Sequence, residues 1–435
     1  MPGNDPLTQQ PLSLTLAQAV KRGLQFNLSA VVSSIGQREA NAERIGSRAQ
    51  MLPDINGDVR ETVQQINLVA AGLRFSSISS GPGQPGFNFP SIVGPFNYFD
   101  VRASLSQAVA DLTRLHNYRS SKENARASGM TVLDSRELIV LAVTGAYLQV
   151  IASQSRVDTA RAQIATAQAA YTQAVDRNRS GLNARIDVNR SLVELQTQQQ
   201  RLNSLLNDLA KQKISFARLI GLPQSQSILL TDTQPFNRTD TTLGLNEMIK
   251  LAWDQRPDVR AASVQVHAAE EARQAATLEY LPSLSLNADY GVIGINPAQS
   301  HGTFSVTGTL HVPIFRSGRI SADVEQANAV LAQRRAELED IRGRAEQDVR
   351  TAQLDLDTAS EQIGLAESNR RLAADTLEQA RDRFSAGLAD TVELVQAQES
   401  VATAEQDYIS AMYSYQLARA GLARAVGGAE KSIRP

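Results

Sequence analysis

Alternating apolar and polar residues predict two pairs of β-strands in this chain. In the second half, one run places its apolar side chains on a single face: Leu284, Leu286, Ala288, Tyr290 and Val292. This period of two is typical of a strand with one apolar face. Similar runs occupy residues 304–312, 55–59 and 101–105. We therefore expect strand hairpins at about 54–108 and about 283–313. Strands of roughly 9 to 11 residues are long enough to cross a bilayer when tilted.

The longest features of the pattern are two proline-free runs that predict very long helices, at about 113–180 and about 319–386. At 1.5 Å per residue, each helix would extend for roughly 100 Å. Alanine recurs every seven residues at matching places in both runs: Ala160, Ala167, Ala174, Ala366, Ala373 and Ala380. A stripe of small side chains with this spacing indicates a close seam between packed helices.

Each long helix is expected to turn at a Gly-Leu pair and to return as a second helix, at about 184–220 and about 390–426. Gly221 and Gly427 follow the return helices. Glycine readily adopts the left-handed conformation that ends many helices, so these two residues mark the predicted ends. The main unit of each half is therefore a long helical hairpin.

The second half of the sequence repeats the first. A shift of 206 positions aligns the residues around the two predicted turns: Gln173, Ala174, Asp176, Arg177, Gly181 and Leu182 with Gln379, Ala380, Asp382, Arg383, Gly387 and Leu388. A shift of 229 positions aligns the shorter helices that open each half, up to Leu52-Pro53 and Leu281-Pro282, where proline ends the helix. A repeat of this length describes architecture rather than chemistry. We divide the chain into a first repeat (1–225), a linker (226–242), a second repeat (243–428) and a tail (429–435).

The two predicted strand hairpins differ in their connections. From Pro53 to Leu105 there are 52 positions, and from Pro282 to Leu310 there are 28. The extra residues of the first hairpin centre on 76–95, which is rich in Gly, Pro, Ser and Phe. Such a segment predicts a long surface loop at the tip of the hairpin.

Composition narrows the possible functions. The net charge of -2 provides no basic excess for a phosphate backbone, so nucleic acid is not an expected partner. The absence of Cys excludes disulfides and thiolate metal sites. No stretch reaches the roughly 18 to 20 apolar residues expected of a membrane-spanning helix. Because residues 1–11 lack the pattern of a signal peptide, we expect either a cytosolic protein or a mature chain whose leader is missing from this sequence.

No catalytic, metal or cofactor site is expected. Gly81, Gly83 and Gly86 match the spacing of a dinucleotide fingerprint, but Pro82 and Pro85 stand between them and no strand or helix flanks them. The four histidines lack the spacing of metal ligands and are expected at the surface or at an interface. A nucleophile elbow, a phosphate loop and a paired-carboxylate signature are also missing, so the protein is not expected to be an enzyme.

An acid follows each Gly-Leu turn, six positions after the glycine: Asp187 in the first half and Glu393 in the second. Two interpretations stay open. Each acid caps the return helix, where negative charge favours the N-terminus. Alternatively, the duplication, together with the neighbouring Asp-Arg pairs, indicates a shared docking or gating role.

The order of elements, the doubled Gly-Leu turns with their acids, and the Leu-Pro strand starts together resemble the TolC-type outer-membrane efflux proteins. The resemblance covers nearly the whole chain. It implies a mixed, mainly α protomer whose long helical hairpins form a periplasmic α-barrel. It also implies four membrane β-strands per protomer, so that a homotrimer builds a 12-stranded β-barrel. Closure by trimerisation would pair the open sheet edges, which lipid cannot satisfy.

The resemblance also assigns roles to residues near the turns. Glu393 falls at the family's acidic periplasmic gate, with Asp390 and Asp187 as further gate residues. Gln396 occupies a place where a second acid is often found, which implies weaker cation selectivity. The turns themselves match the tips where adaptors dock, and the implied docking residues are Arg177, Gly181, Leu182, Arg383, Gly387 and Leu388. The loop at 76–95 would lie outside the cell.

The function implied by the resemblance is an exit duct of a tripartite efflux or type I secretion system. It would conduct small molecules or secreted products passively from the periplasm to the exterior. Its partners would be a periplasmic adaptor (membrane fusion) protein, an inner-membrane pump and outer-membrane lipid, and it would extend from the cell outer membrane into the periplasm. A helical filament or coiled-coil scaffold is the alternative, but a scaffold has no need of two bilayer-length strand hairpins.

Overall fold

The computed structural model describes residues 10–70, 72, 90–182, 184–231, 243–386, 388–389 and 391–430. Most of the loop expected at 76–95 lies outside the described residues, as do Gly387 and Asp390. In the first half, the elements are β1 (Leu12–Leu14), α1 (Leu16–Phe26), α2 (Leu28–Ala49), β2 (Asp54–Asn67), β3 (Ile92–Ala110), α3 (Leu112–Arg179) and α4 (Arg185–Leu219).

The second half repeats this order of elements. They are β4 (Ile228–Leu230), α5 (Leu245–Gln255), α6 (Pro257–Leu278), β5 (Ser283–Gly294), β6 (Ser300–His311), α7 (Arg319–Ser385) and α8 (Thr391–Ala425). A single 3₁₀ turn, Pro297–Gln299, connects β5 to β6. The mainly helical mixed fold expected from the sequence is confirmed.

Local sequence explains where several helices begin and end. At the start of α1, the Gln18 N–H donates to Thr15 Oγ1 and the Thr15 N–H donates to Gln18 Oε1, which is a complete capping box. Gly221 and Gly427 follow the return helices with φ values of 72° and 83°, as predicted. These left-handed residues let the next N–H turn back and bond to the last turn of the helix.

Four strands form one antiparallel sheet in the order β2-β3-β5-β6. Each predicted hairpin is one pair of neighbours, and β3 with β5 joins the two hairpins. β3 is longer than its alternating sequence suggested, because Ile92 already pairs with Asn67 at the end of β2. β2 and β6 form the two edges of the sheet in the protomer.

The two faces of this sheet differ in polarity. One row of paired residues across the sheet is Ile55, Leu105, Ala288 and Val306. Ile55 is 71% exposed and Val306 is 66% exposed, so the protomer presents these apolar side chains outward. On the opposite face, Arg102 forms ion pairs with Asp100 and Asp289. The sheet therefore has one apolar face and one charged face.

Two apolar cores hold the helices together, and the sequence repeat relates them. The first contains Val143, Val157, Leu209 and Phe216. The 206-position shift places their counterparts in the second core: Val349, Ile363, Tyr415 and Leu422. The duplication is therefore visible in packing as well as in sequence. The predicted alanine seam is also buried, except that Ala373 is partly exposed.

Two expectations need correction. Residues 228–230 of the segment predicted as a linker form β4, which pairs in parallel with β1 and places Leu12 opposite Ile228. In addition, α3 contains an 18-residue window with a mean hydropathy of 1.5, long and apolar enough to cross a membrane, contrary to the sequence analysis. Half of this window is buried within the protein. Because Val143 and Tyr147 of α3 are fully buried in the first core, we interpret α3 as a core helix.

The chain divides into two compact units. Unit 1 comprises Met1–Ala40, Asn124–Val266 and Gln333–Pro435, and it contains both apolar cores. Unit 2 comprises Asn41–Glu123 and His267–Ala332, and it contains the four-stranded sheet. Each unit takes residues from both sequence repeats. Each repeat is one continuous segment of the chain, whereas each compact unit combines separate segments from both repeats.

Candidate functional site

The first Gly-Leu turn joins α3 to α4. Gly181 has a φ of 74°, a conformation that glycine adopts without strain. The Leu182 N–H donates to the Arg177 carbonyl (2.9 Å) and the Gly181 N–H donates to the Asn178 carbonyl (3.0 Å). These bonds close the end of α3 as a Schellman-type cap. The Leu182 side chain is left 73% exposed at the turn.

The second turn, between α7 and α8, repeats the same capping bond. The Leu388 N–H donates to the Arg383 carbonyl at 2.8 Å, and Leu388 is 74% exposed. Gly387 and Asp390 lie outside the described residues. Each turn therefore exposes one leucine, and neither leucine belongs to the apolar cores.

Arg177 connects the end of α3 to the end of α7. Its Nη1 donates to the Phe384 carbonyl (2.9 Å) and its Nη2 to the Ser385 carbonyl (3.5 Å). Its guanidinium also lies 4.7 Å from the centre of the Phe384 ring, which is 3% exposed. A cation near the last carbonyls of a helix is favourable because these groups carry the negative end of the helix dipole. The sequence repeat predicts Arg177 at the turn, whereas Phe384 was not predicted; its only signal was an aromatic residue beside the second Gly-Leu turn.

The two acids that follow the turns have different partners. Glu393, in the first turn of α8, lies 3.4 Å from Arg383, and both side chains are about half exposed. Asp187, in the first turn of α4, lies 3.7 Å from Arg190. Both positions therefore have the geometry of acids at a helix N-terminus, where negative charge is favoured. Arg383 reduces the net negative charge around Glu393.

A cavity of about 410 Å³ lies between the first turns of α4 and α8. Its lining includes Ile186, Asn189, Arg190, Thr391, Val392 and Gln396. The structure thus brings together the residues that follow the two turns. Gln396 contributes an amide to this cavity, where the resemblance anticipated a second carboxylate.

Unit 1 also contains a partly buried cluster of charged residues that was not predicted from the sequence. Arg256 is 4% exposed and donates to Asp258 and Asp348, each at 2.8 Å, while Arg424 donates to Asp134 at 2.6 Å. Burial raises the pKa of Asp134, although Arg424 opposes the shift. Burial would also raise the pKa of Asp258, but hydrogen bonds and charge from Arg256 hold that pKa below its ordinary value. The cluster joins the two repeats, and no pattern in the sequence predicted which of these charged residues would pair.

The described residues contain no group of three or more His, Cys, Asp or Glu side chains that could hold a metal ion. His116 was expected at the surface or at an interface. Its side chain is instead only 12% exposed, and its Nδ1 lies 2.6 Å from Glu271. His116 therefore forms a partly buried polar contact with Glu271 within unit 2.

Comparison with known proteins gives one consistent result. The family model "Outer membrane efflux protein" matches residues 248–428. The pyoverdine export outer membrane protein OpmQ of Pseudomonas putida is 23% identical over 96% of this chain and 86% of its own length. The outer membrane protein TolC of Vibrio cholerae is 22% identical over 91% of this chain and 87% of its own length. The solved structure of the outer membrane protein VceC from Vibrio cholerae shares the fold, with a TM-score of 0.79 at 16% identity, covering 95% of this chain and 96% of VceC.

The family match covers the second repeat, and the relatives extend the similarity over both repeats. The fold likewise agrees along nearly the full chain. Residues 248–428 therefore match the outer membrane efflux protein family, and the chain is similar to outer membrane proteins such as OpmQ and TolC over nearly its whole length.

Proposed function

We propose that the protein is the passive exit duct of a tripartite efflux or type I secretion system. It works in the cell outer membrane and extends into the periplasm, as a homotrimer joined to a periplasmic adaptor protein and an inner-membrane pump. Small molecules or secreted products pass through it from the periplasm to the exterior. The observation that carries this proposal is the four-stranded sheet, with one exposed apolar face, on a chain otherwise built of long helical hairpins.

The sheet has the properties of one third of a membrane barrel. Lipid provides no hydrogen-bond partners, so the edges β2 and β6 need strand neighbours. Three copies that pair β6 of one protomer with β2 of the next give 12 strands and no free edge. The apolar face around Val59 and Val306 then contacts lipid, and the face that carries Arg102 and Asp289 lines the water-filled interior.

The acidic residues that follow the two turns form the gate. In a trimer, Glu393 forms a ring of three carboxylates, with Asp390 and Asp187 as further acids of the constriction. Such a ring attracts cations and repels anions. The Arg383 ion pair and the amide of Gln396 both moderate this field, so we expect a modest cation preference.

The Gly-Leu turns are the docking tips. Leu182 and Leu388 expose apolar side chains beyond the last turns of α3 and α7. Exposed leucines on an otherwise polar helical surface favour contact with another protein. Arg177, Arg383 and Gly181 shape these turns and set their charge. Gly387 is the remaining proposed docking residue.

Export through this duct is driven from outside the chain. The sequence carries no phosphate-binding loop, so the energy comes from the inner-membrane pump. The family consists of channel proteins, and we propose that this chain has no enzymatic activity of its own. A filament scaffold is not supported, because its subunits have no use for a bilayer-length sheet.

Conductance in planar lipid bilayers tests the proposal. The purified trimer should form single channels with a modest preference for cations. Replacement of Glu393→Ala should shift the reversal potential toward that of a non-selective pore and weaken block by multivalent cations, because the carboxylate ring is lost. Glu399→Ala on the exposed side of α8 is the matched control and should leave selectivity unchanged.

If properly trimeric protein formed no channels, the proposed duct function would be wrong. Unaltered selectivity and block in Glu393→Ala, alongside normal channels, would overturn only the gate assignment.

A further inference from the structure

A second cavity, of about 260 Å³, lies within the helical hairpins of unit 1 between α3, α4, α7 and α8. We name it the wall cavity. Ala167, Leu377 and Val401 supply apolar parts of its lining, and Glu194 and Gln198 supply polar groups. Because both cavities in this region include Glu194, the wall cavity begins about two helical turns beyond the start of α4.

The polar groups of the wall cavity are buried and incompletely bonded. Gln198 is 4% exposed and Glu194 is 7% exposed. Gln198 Nε2 donates to Glu194 Oε1 at 2.7 Å, but Gln198 Oε1 has no hydrogen-bond partner among the described residues. The buried Nε2 of Gln163, which also lines the cavity, is likewise unsatisfied there. Buried polar atoms normally have partners, so the acceptor Gln198 Oε1 indicates a missing hydrogen-bond donor. Gln163 Nε2 is itself a donor and does not support a ligand of that kind.

The charge of Glu194 also lacks compensation. Within the described part of the chain, no ion pair involves Glu194. Arg190, one turn earlier, lies against Asp187 at 3.7 Å, and the other acid of the cavity, Glu405, lies 4.0 Å from Arg370. A carboxylate in a poorly solvated place is favourable only beside a positive charge.

We propose that the wall cavity binds a small amphiphilic amine in its ammonium form. The ammonium N–H groups donate to the Glu194 carboxylate and to Gln198 Oε1, while the hydrocarbon part packs against Ala167, Leu377 and Val401. A neutral or anionic molecule of the same shape cannot satisfy the carboxylate. A bare divalent metal ion is a poorer fit, because it requires more oxygen ligands than this lining of acids, amides and alkyl groups offers. This ligand site is separate from the acids of the proposed gate.

Isothermal titration calorimetry of the detergent-purified trimer tests the site, with n-hexylammonium chloride as the probe and hexanol as its neutral counterpart. Hexylammonium should bind saturably, and hexanol should bind at least tenfold more weakly. Glu194→Gln keeps the shape and removes the charge, so it should weaken hexylammonium binding by at least tenfold. Glu399→Gln is the matched control on exposed α8 surface and should leave the affinity unchanged.

A second variant guards against a folding defect in Glu194→Gln. Ala162→Leu adds three carbon atoms to an exposed residue that lines the cavity, and it should abolish binding by occupying the space. Size-exclusion chromatography establishes that each variant is trimeric. The proposal is overturned if hexylammonium does not bind saturably, if hexanol binds equally well, or if a trimeric Ala162→Leu retains wild-type affinity. Retained affinity in a trimeric Glu194→Gln would overturn it as well.

Discussion

Arg177 is the residue that ties the end of α3 to the end of α7, and this contact yields the first prediction. Arg177→Ala removes two bonds to helix-end carbonyls and the contact with the Phe384 ring. Hydrogen bonds from a charged group contribute roughly 1.5 to 3 kcal/mol, so the two tips should separate more often. We expect more frequent open events in planar bilayers and faster protease cleavage at the Gly181 turn. Arg179→Ala is the control, because that side chain is 78% exposed and lies 3.8 Å from Asp176. Equal opening and cleavage in both variants would show that Arg177 does not hold the tips.

The same residues show what a repeat in sequence can and cannot predict. The 206-position shift equates Arg177 with Arg383, and the family resemblance implies the same docking role for both. Their partners differ, because Phe384 corresponds to Asn178 in the first repeat and only the second turn has a ring to receive a guanidinium. Arg383 lies instead beside Glu393. The repeat in the sequence therefore predicts where the site residues lie. Which residues they pair with depends on single differences between the repeats, such as Phe384 in place of Asn178.

At the scale of elements, the left-handed glycine that ends α3 gives a prediction with an internal control. Gly181 has a φ of 74° and an added Cβ would meet nothing within 4 Å, so Gly181→Ala is penalised through the backbone alone. The expected loss is about 1 to 2 kcal/mol of unfolding free energy. Gly364→Ala, in the exposed middle of α7, meets nothing within 4 Å either and should instead gain about 0.5 to 1 kcal/mol. The midpoint of denaturant unfolding should fall for trimeric Gly181→Ala and rise for trimeric Gly364→Ala. If both midpoints shifted in the same direction, this explanation of the turn would be wrong.

The long elements were predictable because their signals are local. α3 and α7 begin and end within about a residue of the predicted runs, because local turn residues mark these ends: Gly181 follows α3 and Gly318 precedes α7. The pair β1-β4 was missed because each strand has three residues, too few for a period, and Leu12 pairs with Ile228 far along the chain. The early part of β3 was missed for a related reason: Gly94-Pro95 interrupts the alternation, while pairing with β2 maintains the strand.

The four-stranded sheet determines how the whole molecule meets its surroundings, and this leads to the last prediction. Val306, near the middle of β6, lies on the apolar face and is 66% exposed. An arginine there would face lipid, which costs roughly 2 to 4 kcal/mol at mid-bilayer depth. Val306→Arg should therefore reduce the yield of trimer in outer-membrane fractions and slow insertion into planar bilayers. Three copies would each carry the charge, so the penalty applies three times per assembled barrel.

Ser305→Arg is the matched control, since it introduces the same side chain one residue away on the opposite face. Ser305 pairs with Asp289 across β5 and β6, on the face where Arg102 and Asp289 already form an ion pair. An arginine at this position can remain in water beside a carboxylate, so membrane yield should match wild type while single-channel conductance and ion selectivity change. The two variants thus separate the lipid face from the pore face. If Ser305→Arg blocked insertion and Val306→Arg altered only conductance, the sheet would be oriented the other way round; if neither variant affected insertion or conductance, the sheet would not be the membrane wall.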